Sequence, residues 1–289
     1  MVLKIKCVFC FVVLLIILGG GSCNTDEVLP EYEKKLVVDG WIENGNLPKV
    51  LLTFTSPYFS EIDSFSIREY LASRAKVTVF SPTSSEILVF KPSNIYFPPN
   101  VYQGLLLTGY VNQKYKVEVI LDGDTAWAET TIPEPPVLDS AWFEPNSPGD
   151  TLGIIHVIIN DNPDEENFYR IFTYTEGLDK RYRPVLVPNY SDEQFNGESF
   201  QIPVYQGNET NIDPDDQIFF NLNYSTMLKV CSMDKKAYEY WTSFQREYIN
   251  FQNPLAGGGK SLKSNINGGI GIWCGYGVTK YHLLPVKKE

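Results

Sequence analysis

At 289 residues the chain is long enough for one large or two medium cores, and two domains is the expectation because single cores stop growing near about 250–300 residues. Aromatic residues make up 14% of it and charged residues only 20%, which excludes a disordered chain and suits β-structure. The formal net charge of -11, with 24 basic residues that form no run longer than a pair plus one neighbour, makes nucleic acid a poor partner, since phosphate binding needs massed Lys and Arg.

The N-terminus reads as a signal peptide over residues 1–22. Lys4 and Lys6 precede an apolar run from Cys7 to Leu18, too short to span a bilayer, and Gly19-Gly20-Gly21-Ser22 supplies the small residues of a cleavage site. Small residues directly before Cys23 resemble a bacterial lipobox, although Gly20 stands where Leu is usual. On this reading Cys23 is the lipidated first mature residue and residues 23–34 are a polar tether. The competing reading is an ordinary signal peptide followed by an incidental cysteine. Removing Lys4 and Lys6 takes the basic residues to 22 and the charge from -11 to -13. Asn24-Thr25-Asp26-Glu27 resembles the acidic signal that exports some Bacteroidota lipoproteins to the cell surface.

From Leu36 onward, short apolar runs with period two alternate with turn residues, which predicts strands. Leu36 and Val38, then Val50, Leu52 and Phe54, then Val77 and Val79 share a face, and Ile87 to Phe90 is a further strand. Tyr115 to Leu121 and Thr125 to Ile132 flank Asp122-Gly123-Asp124, a hairpin in which Asp-Gly supplies the positive φ angles of a tight turn. These strands predict an immunoglobulin- or fibronectin-like β-sandwich over 35–134, with Tyr115 placed like the tyrosine corner of such domains.

Pro133, Pro135 and Pro136 cannot join a sheet ladder and mark the expected boundary. A second β-rich domain over 137–289 follows, with strands at Gly153–Ile159, Phe168–Thr175, Tyr182–Val187, Phe200–Val204, Gln217–Tyr224 and Thr226–Cys231, and a last strand within Gly268–Leu284. One amphipathic helix near 233–250 is expected, because Ala237, Trp241, Phe244, Tyr248 and Phe251 recur at helical spacing after Ser232, a candidate cap.

Catalytic chemistry has no visible constellation, and no cofactor or metal site is expected. His156 and His282 sit in apolar strand patterns, no Gly-x-Ser-x-Gly elbow occurs, and zinc-type His and Cys spacings are missing. Gly257-Gly258-Gly259-Lys260-Ser261 lacks the first glycine of a phosphate loop. Asp161, Asp164, Glu165 and Glu166, like Asp213, Asp215 and Asp216, read as solvated turns ahead of calcium ligands. Cys231 and Cys274 would lie in an oxidising compartment and are candidates for a disulfide, with two buried thiols as the alternative. Trp241, Trp273 and Tyr276 are the candidate ligand contacts, each weighed against a plain packing role.

Leu36-Val37-Val38-Asp39-Gly40-Trp41-Ile42-Glu43, Ala128-Glu129-Thr130-Thr131-Ile132-Pro133 and Ser264-Asn265-Ile266-Asn267-Gly268-Gly269-Ile270-Gly271-Ile272-Trp273 resemble the Bacteroidota outer-membrane lipoproteins called domain of unknown function four-two-four-nine. The resemblance covers almost the whole mature chain. It implies a lipid anchor in the outer membrane and a TonB-dependent transporter as partner, with no assigned activity, while exposure on the cell surface is the expectation from Asn24-Thr25-Asp26-Glu27. The expected function is therefore a non-catalytic accessory or ligand-binding subunit in nutrient capture. The alternative is a structural or adhesive surface module.

Overall fold

The computed structural model describes residues 32–56, 69–193, 195–207, 218–251 and 262–286. Cys23 and its leader, Asp213, Asp215 and Asp216, and the Gly257–Gly259 run lie outside these residues.

The described chain is mainly β, and one sheet organises it. In order, the strands are β1 (Leu36–Glu43), β2 (Lys49–Phe54), β3 (Lys76–Phe80), β4 (Ser85–Ile87), β5 (Val89–Pro92), β6 (Asn100–Gln103), β7 (Lys114–Leu121) and β8 (Asp124–Thr131). They continue as β9 (Val137–Pro145), β10 (Leu152–Asn160), β11 (Phe168–Thr175), β12 (Arg183–Ser191), β13 (Ser199–Val204), β14 (Phe220–Asn221) and β15 (Thr226–Met233). The helix α1 (Lys235–Phe251) and β16 (Ile270–Leu283) complete the order. Eight strands form the central sheet, arranged β12-β11-β15-β16-β1-β2-β6-β5, and two four-stranded sheets hold the rest.

Period-two side-chain alternation gives the central sheet two chemically different faces. On one face, Val38, Ile42, Val50, Leu52, Tyr102 and Trp273 pack against Val77, Val79, Val117, Val119 and Ala128 of the β4-β3-β7-β8 sheet. Further along that face, Tyr169, Ile171, Leu228 and Val230 pack against Ile155, Val157, Ile159, Ile202 and Val204 of the sheet built on β9, β10, β13 and β14. The two halves are thus two sandwiches sharing one long sheet. Each fully buried aliphatic side chain contributes roughly 1.5–3 kcal/mol.

The shared member is β16. Its first half runs parallel to β1, from Val37↔Ile270 to Glu43↔Tyr276, and its second half runs antiparallel to β15, from Ser232↔Gly277 to Thr226↔Leu283. Pro133–Pro136 therefore lies between two cores joined by one sheet, and Lys34–Glu289 is one compact unit. The linker crosses β16 at its glycines: a Cβ on Gly275 would lie 2.5 Å from the Thr131 carbonyl oxygen, and one on Gly277 would run into that of Pro133.

The hairpin of β7 and β8 turns on Asp122 (φ 51°) and Gly123 (φ 97°), the two positive angles of a tight turn. Tyr115 forms the corner expected of it: its hydroxyl accepts from Tyr110 N at 2.8 Å and reaches the Thr108 carbonyl at 3.3 Å. The helix is capped by Asp234, whose Oδ1 accepts from Ala237 N at 2.8 Å; Ser232 still belongs to β15, so the expected cap moves by two residues. Two strands carry no clear sequence signal, β6 and β9. The latter is a largely uncovered strand interrupted by Asp139 and Ser140.

Candidate ligand-binding face

The opposite face of the central sheet alternates with the core and is of mixed chemistry. In β1, Asp39, Trp41 and Glu43 interleave with the core residues Val38, Gly40 and Ile42. Their cross-strand neighbours set the rest of the surface: Ile272, Cys274 and Tyr276 on β16, and Lys49 and Leu51 on β2. Beyond β16, the same face carries Lys229 and Cys231 on β15, and Arg170 and Phe172 on β11.

The helix covers one part of this face. Ala237 and Tyr240 pack with Phe168, Cys231, Met233, Ile272, Cys274 and Tyr276. Inside the contact, Arg170 is only 5% exposed. Its guanidinium lies 3.9 Å from the centre of the Trp241 ring, and its Nη1 donates to Asn189 Oδ1 at 2.5 Å. Burial lowers the Arg170 pKa, and nearby Asp39 is among the groups that oppose this. Asp39 itself is pushed up to about 6, chiefly by burial, with Arg170 and Arg181 pulling it back. Arg170 Nε, Trp241 Nε1 and the Tyr276 hydroxyl are buried with no hydrogen-bond partner among the described residues, and burial raises the Tyr276 pKa well above its usual value.

At the middle of the face, Lys229 Nζ meets Glu43 Oε1 at 2.9 Å and lies 4.5 Å and 4.7 Å from the ring centres of Phe172 and Tyr182. Burial disfavours this ammonium, but the Glu43 carboxylate and its hydrogen bond help hold its pKa above normal.

The far part lies open. Trp41 meets Tyr96 edge to face at 5.7 Å, Lys49 lies 5.9 Å from both ring centres, and Arg181 lies 5.8 Å from that of Tyr96. Tyr96 comes from the β5–β6 connection and Arg181 from the β11–β12 connection, so two loops meet above the sheet. A cavity of about 650 Å³ opens beside them, bordered by Lys49, Lys91, Ile95, Tyr96 and Gln103 among others.

The three aromatic residues singled out from sequence separate. Tyr276 and Trp241 come together around Arg170, under the helix. Trp273 is corrected: it is fully buried on the opposite face, its Nε1 donating to the Tyr115 carbonyl at 3.1 Å, because it shares the phase of Gly40 and not of Trp41. Cys231 and Cys274 are two free buried thiols. Cys231 stands opposite Val278, four positions beyond Cys274, which puts the pair about 13 Å apart along the sheet at ~3.3 Å per residue, beyond disulfide reach. His156 sits between Gln201 and Glu144 and stacks on Trp142, while His282 lies 3.7 Å from Glu176. Asp161 accepts from the Tyr169 hydroxyl and from Gly197 N, fixing a turn.

Sequence reasoning passed over Trp41, Glu43, Lys49, Tyr96, Arg170 and Lys229. A signal existed for two of them: Arg170 and Lys229 are lone cations inside the otherwise apolar runs of β11 and β15, where an unpaired charge is costly. The model of one protein family, Domain of unknown function (DUF4249), matches residues 25–282. No curated protein matches the chain.

Proposed function

The chain belongs to the family described as Domain of unknown function (DUF4249), and from that premise we propose that it is an outer-membrane lipoprotein working as a non-catalytic, ligand-binding accessory subunit beside a TonB-dependent transporter. The signal peptide and Cys23 support the anchor, with residues 23–34 as the tether. The observation that carries the binding role is the open aromatic and cationic face, where Trp41, Tyr96 and Lys49 converge beside a cavity within the usual size range of ligand sites. Both histidines are occupied by neighbours on other strands or loops, which favours binding over acid–base catalysis.

A second reading, an adhesive or structural surface module, is favoured by one feature. Leu105 and Leu106 are 54% and 87% exposed on a loop whose amides are held by the Glu86 carboxylate, an apolar tip suited to contact with another macromolecule.

Purification of the full-length protein from native membranes in mild detergent tests the first reading. An outer-membrane transporter is expected to co-purify, and an acyl label is expected on the wild type and not on Cys23→Ala. Repeated recovery of the protein alone, or a label indifferent to Cys23, would overturn the reading.

A further inference from the structure

We propose that the cavity at the β2–β6–β5 corner takes an acidic sugar, a pyranose carrying a carboxylate or sulfate, with its ring laid against Tyr96 and its anionic group held by Lys49 and Lys91. The inference rests on the binding role proposed above and supplies the ligand class.

The charge pattern leads to it. The chain has 35 acidic residues against 24 basic ones, and at least six of its thirteen described lysines have an anionic or carbonyl partner: Lys114 with Glu129, Lys116 with Glu118, Lys229 with Glu43, Lys235 with Glu166, Lys263 with Glu239, and Lys34 with the Glu69 carbonyl. Lys49 and Lys91 border the cavity, and neither has an acidic side chain at ion-pair distance among the described residues. No Asp or Glu is among the described lining residues. Two uncompensated ammonium groups in the wall of one cavity, in a chain this acidic, are complementary to an anion.

The remaining lining selects a ring over a bare inorganic anion. A sugar presents an apolar C–H face and a polar rim. Tyr96 and Ile95 offer apolar surface for the first, and the Asn94 and Gln103 amides, which bond to no described protein group, face the second. Trp41 backs Tyr96 edge-on, so the stacking platform is fixed before a ligand arrives, which reduces the ordering cost of binding. The cavity is also an open one, borne by the last two strands of the sheet, and an oligosaccharide longer than its bound unit has room to continue.

Isothermal titration of the full-length protein in detergent, at low and at elevated salt, tests this with four probes: oligogalacturonate, a chondroitin sulfate oligosaccharide, a neutral malto-oligosaccharide and oligoglutamate. One or both acidic oligosaccharides are expected to bind, at least about tenfold tighter than the neutral one, and more weakly as salt rises. The arm that binds distinguishes carboxylate from sulfate. Lys49→Ala and Lys91→Ala are each expected to weaken binding about tenfold. Lys91→Ala decides if Lys49→Ala lowers the melting temperature. Tyr96→Ala is expected to abolish the preference for the acidic sugar over oligoglutamate. The proposal is overturned if neither acidic sugar binds, if the lysine variants bind as well as the wild type, or if oligoglutamate competes equally. Tyr96-dependent binding of the neutral sugar alone, or failure of both acidic sugars to bind while a transporter still co-purifies, would leave the accessory-subunit reading standing while removing the acidic sugar.

Discussion

Glu43 and Lys229 stand 186 residues apart in sequence, yet their side chains meet at 2.9 Å over β16. Glu43 ends β1, Lys229 lies mid-β15, and their side chains are 12% and 8% exposed. This ion pair ties the first strand to the second sandwich across the strand both share. Removing one partner strands the other charge in a poorly solvated place, so Glu43→Ala or Lys229→Ala is expected to cost about 3–5 kcal/mol. Replacing both with apolar residues of similar volume should cost much less than the sum. Urea unfolding of the single and double variants measures the coupling, and simple additivity would show that the pair does not act as one.

Asp39 gives this face a pH dependence. Its folded pKa is raised to about 6 from 3.8, mainly by burial, with Arg170 and Arg181 in opposition and Tyr240 of the helix also near it. A raised carboxyl pKa means that the folded state holds its proton more tightly than the unfolded chain. The associated stability is fully present below about pH 3.8 and is lost as pH rises through about 6. The penalty above that window is on the order of 3 kcal/mol. Asp39→Asn is therefore expected to be the more stable protein at pH 7, with its advantage shrinking toward pH 4. Melting temperatures of both proteins across that range provide the check, and a constant difference would contradict it.

On the core side, Gly40 and Trp273 are matched in shape. A Cβ built on Gly40 would lie 2.8 Å from Trp273 Cε3 and 3.1 Å from Val50 Cγ2, both inside a fully buried cluster. Gly40→Ala should therefore destabilise by about 1–3 kcal/mol through overpacking, despite the usual advantage of Ala over Gly in a strand. Trp273→Ala, which leaves a cavity and frees the Tyr115 carbonyl, should cost about 3–5 kcal/mol. Denaturant midpoints for the two variants rank them.

Local features were legible in the sequence to the extent that local physics decides them. The Asp122-Gly123 turn demanded two positive φ angles and has them, and the helix expected near 233–250 spans Lys235–Phe251, although its stripe is buried only at its start: Ala237 is fully buried, whereas Phe244 and Tyr248 are exposed. The pairing of β1 with β16 was not legible. A parallel contact between residues over 200 positions apart leaves no periodic trace, and each strand alone reads simply as apolar. That one pairing decides which face each aromatic residue occupies. Without it, Trp273 and Tyr276 looked equivalent although they differ by an odd number of positions and point to opposite sides. Lys49 and Tyr96 were missed for the same reason, since a strand residue and a loop residue become neighbours only once the sheet is assembled.

Glu86 organises the exposed tip. Its two carboxylate oxygens accept from the amides of Leu105 (2.6 Å), Leu106 (3.1 Å) and Leu107 (2.8 Å). Three donors converging on one carboxylate fix the loop, with Leu105 and Leu106 held out and Leu107 buried in the core. Glu86→Ala is expected to release those amides to exchange at least about tenfold faster while costing roughly 1 kcal/mol in global stability, because the bonds are largely exposed. Hydrogen exchange at residues 105–107 reads this directly, and unchanged protection would show that backbone packing alone shapes the loop.

The two thiols make the last test. Cys231 and Cys274 are fully buried, and burial pushes the Cys231 thiol up to about 12 and Cys274 well above its usual value. The reactive species is the thiolate, so both should resist alkylation in the native protein at pH 8 and react once it is unfolded. With their strands offset by four positions, no disulfide should form between them even under an oxidant. Peptide mapping after alkylation with and without urea separates the cases. A Cys231–Cys274 cross-linked peptide would mean that β15 and β16 pair in another register, which would also displace Lys229 from Glu43.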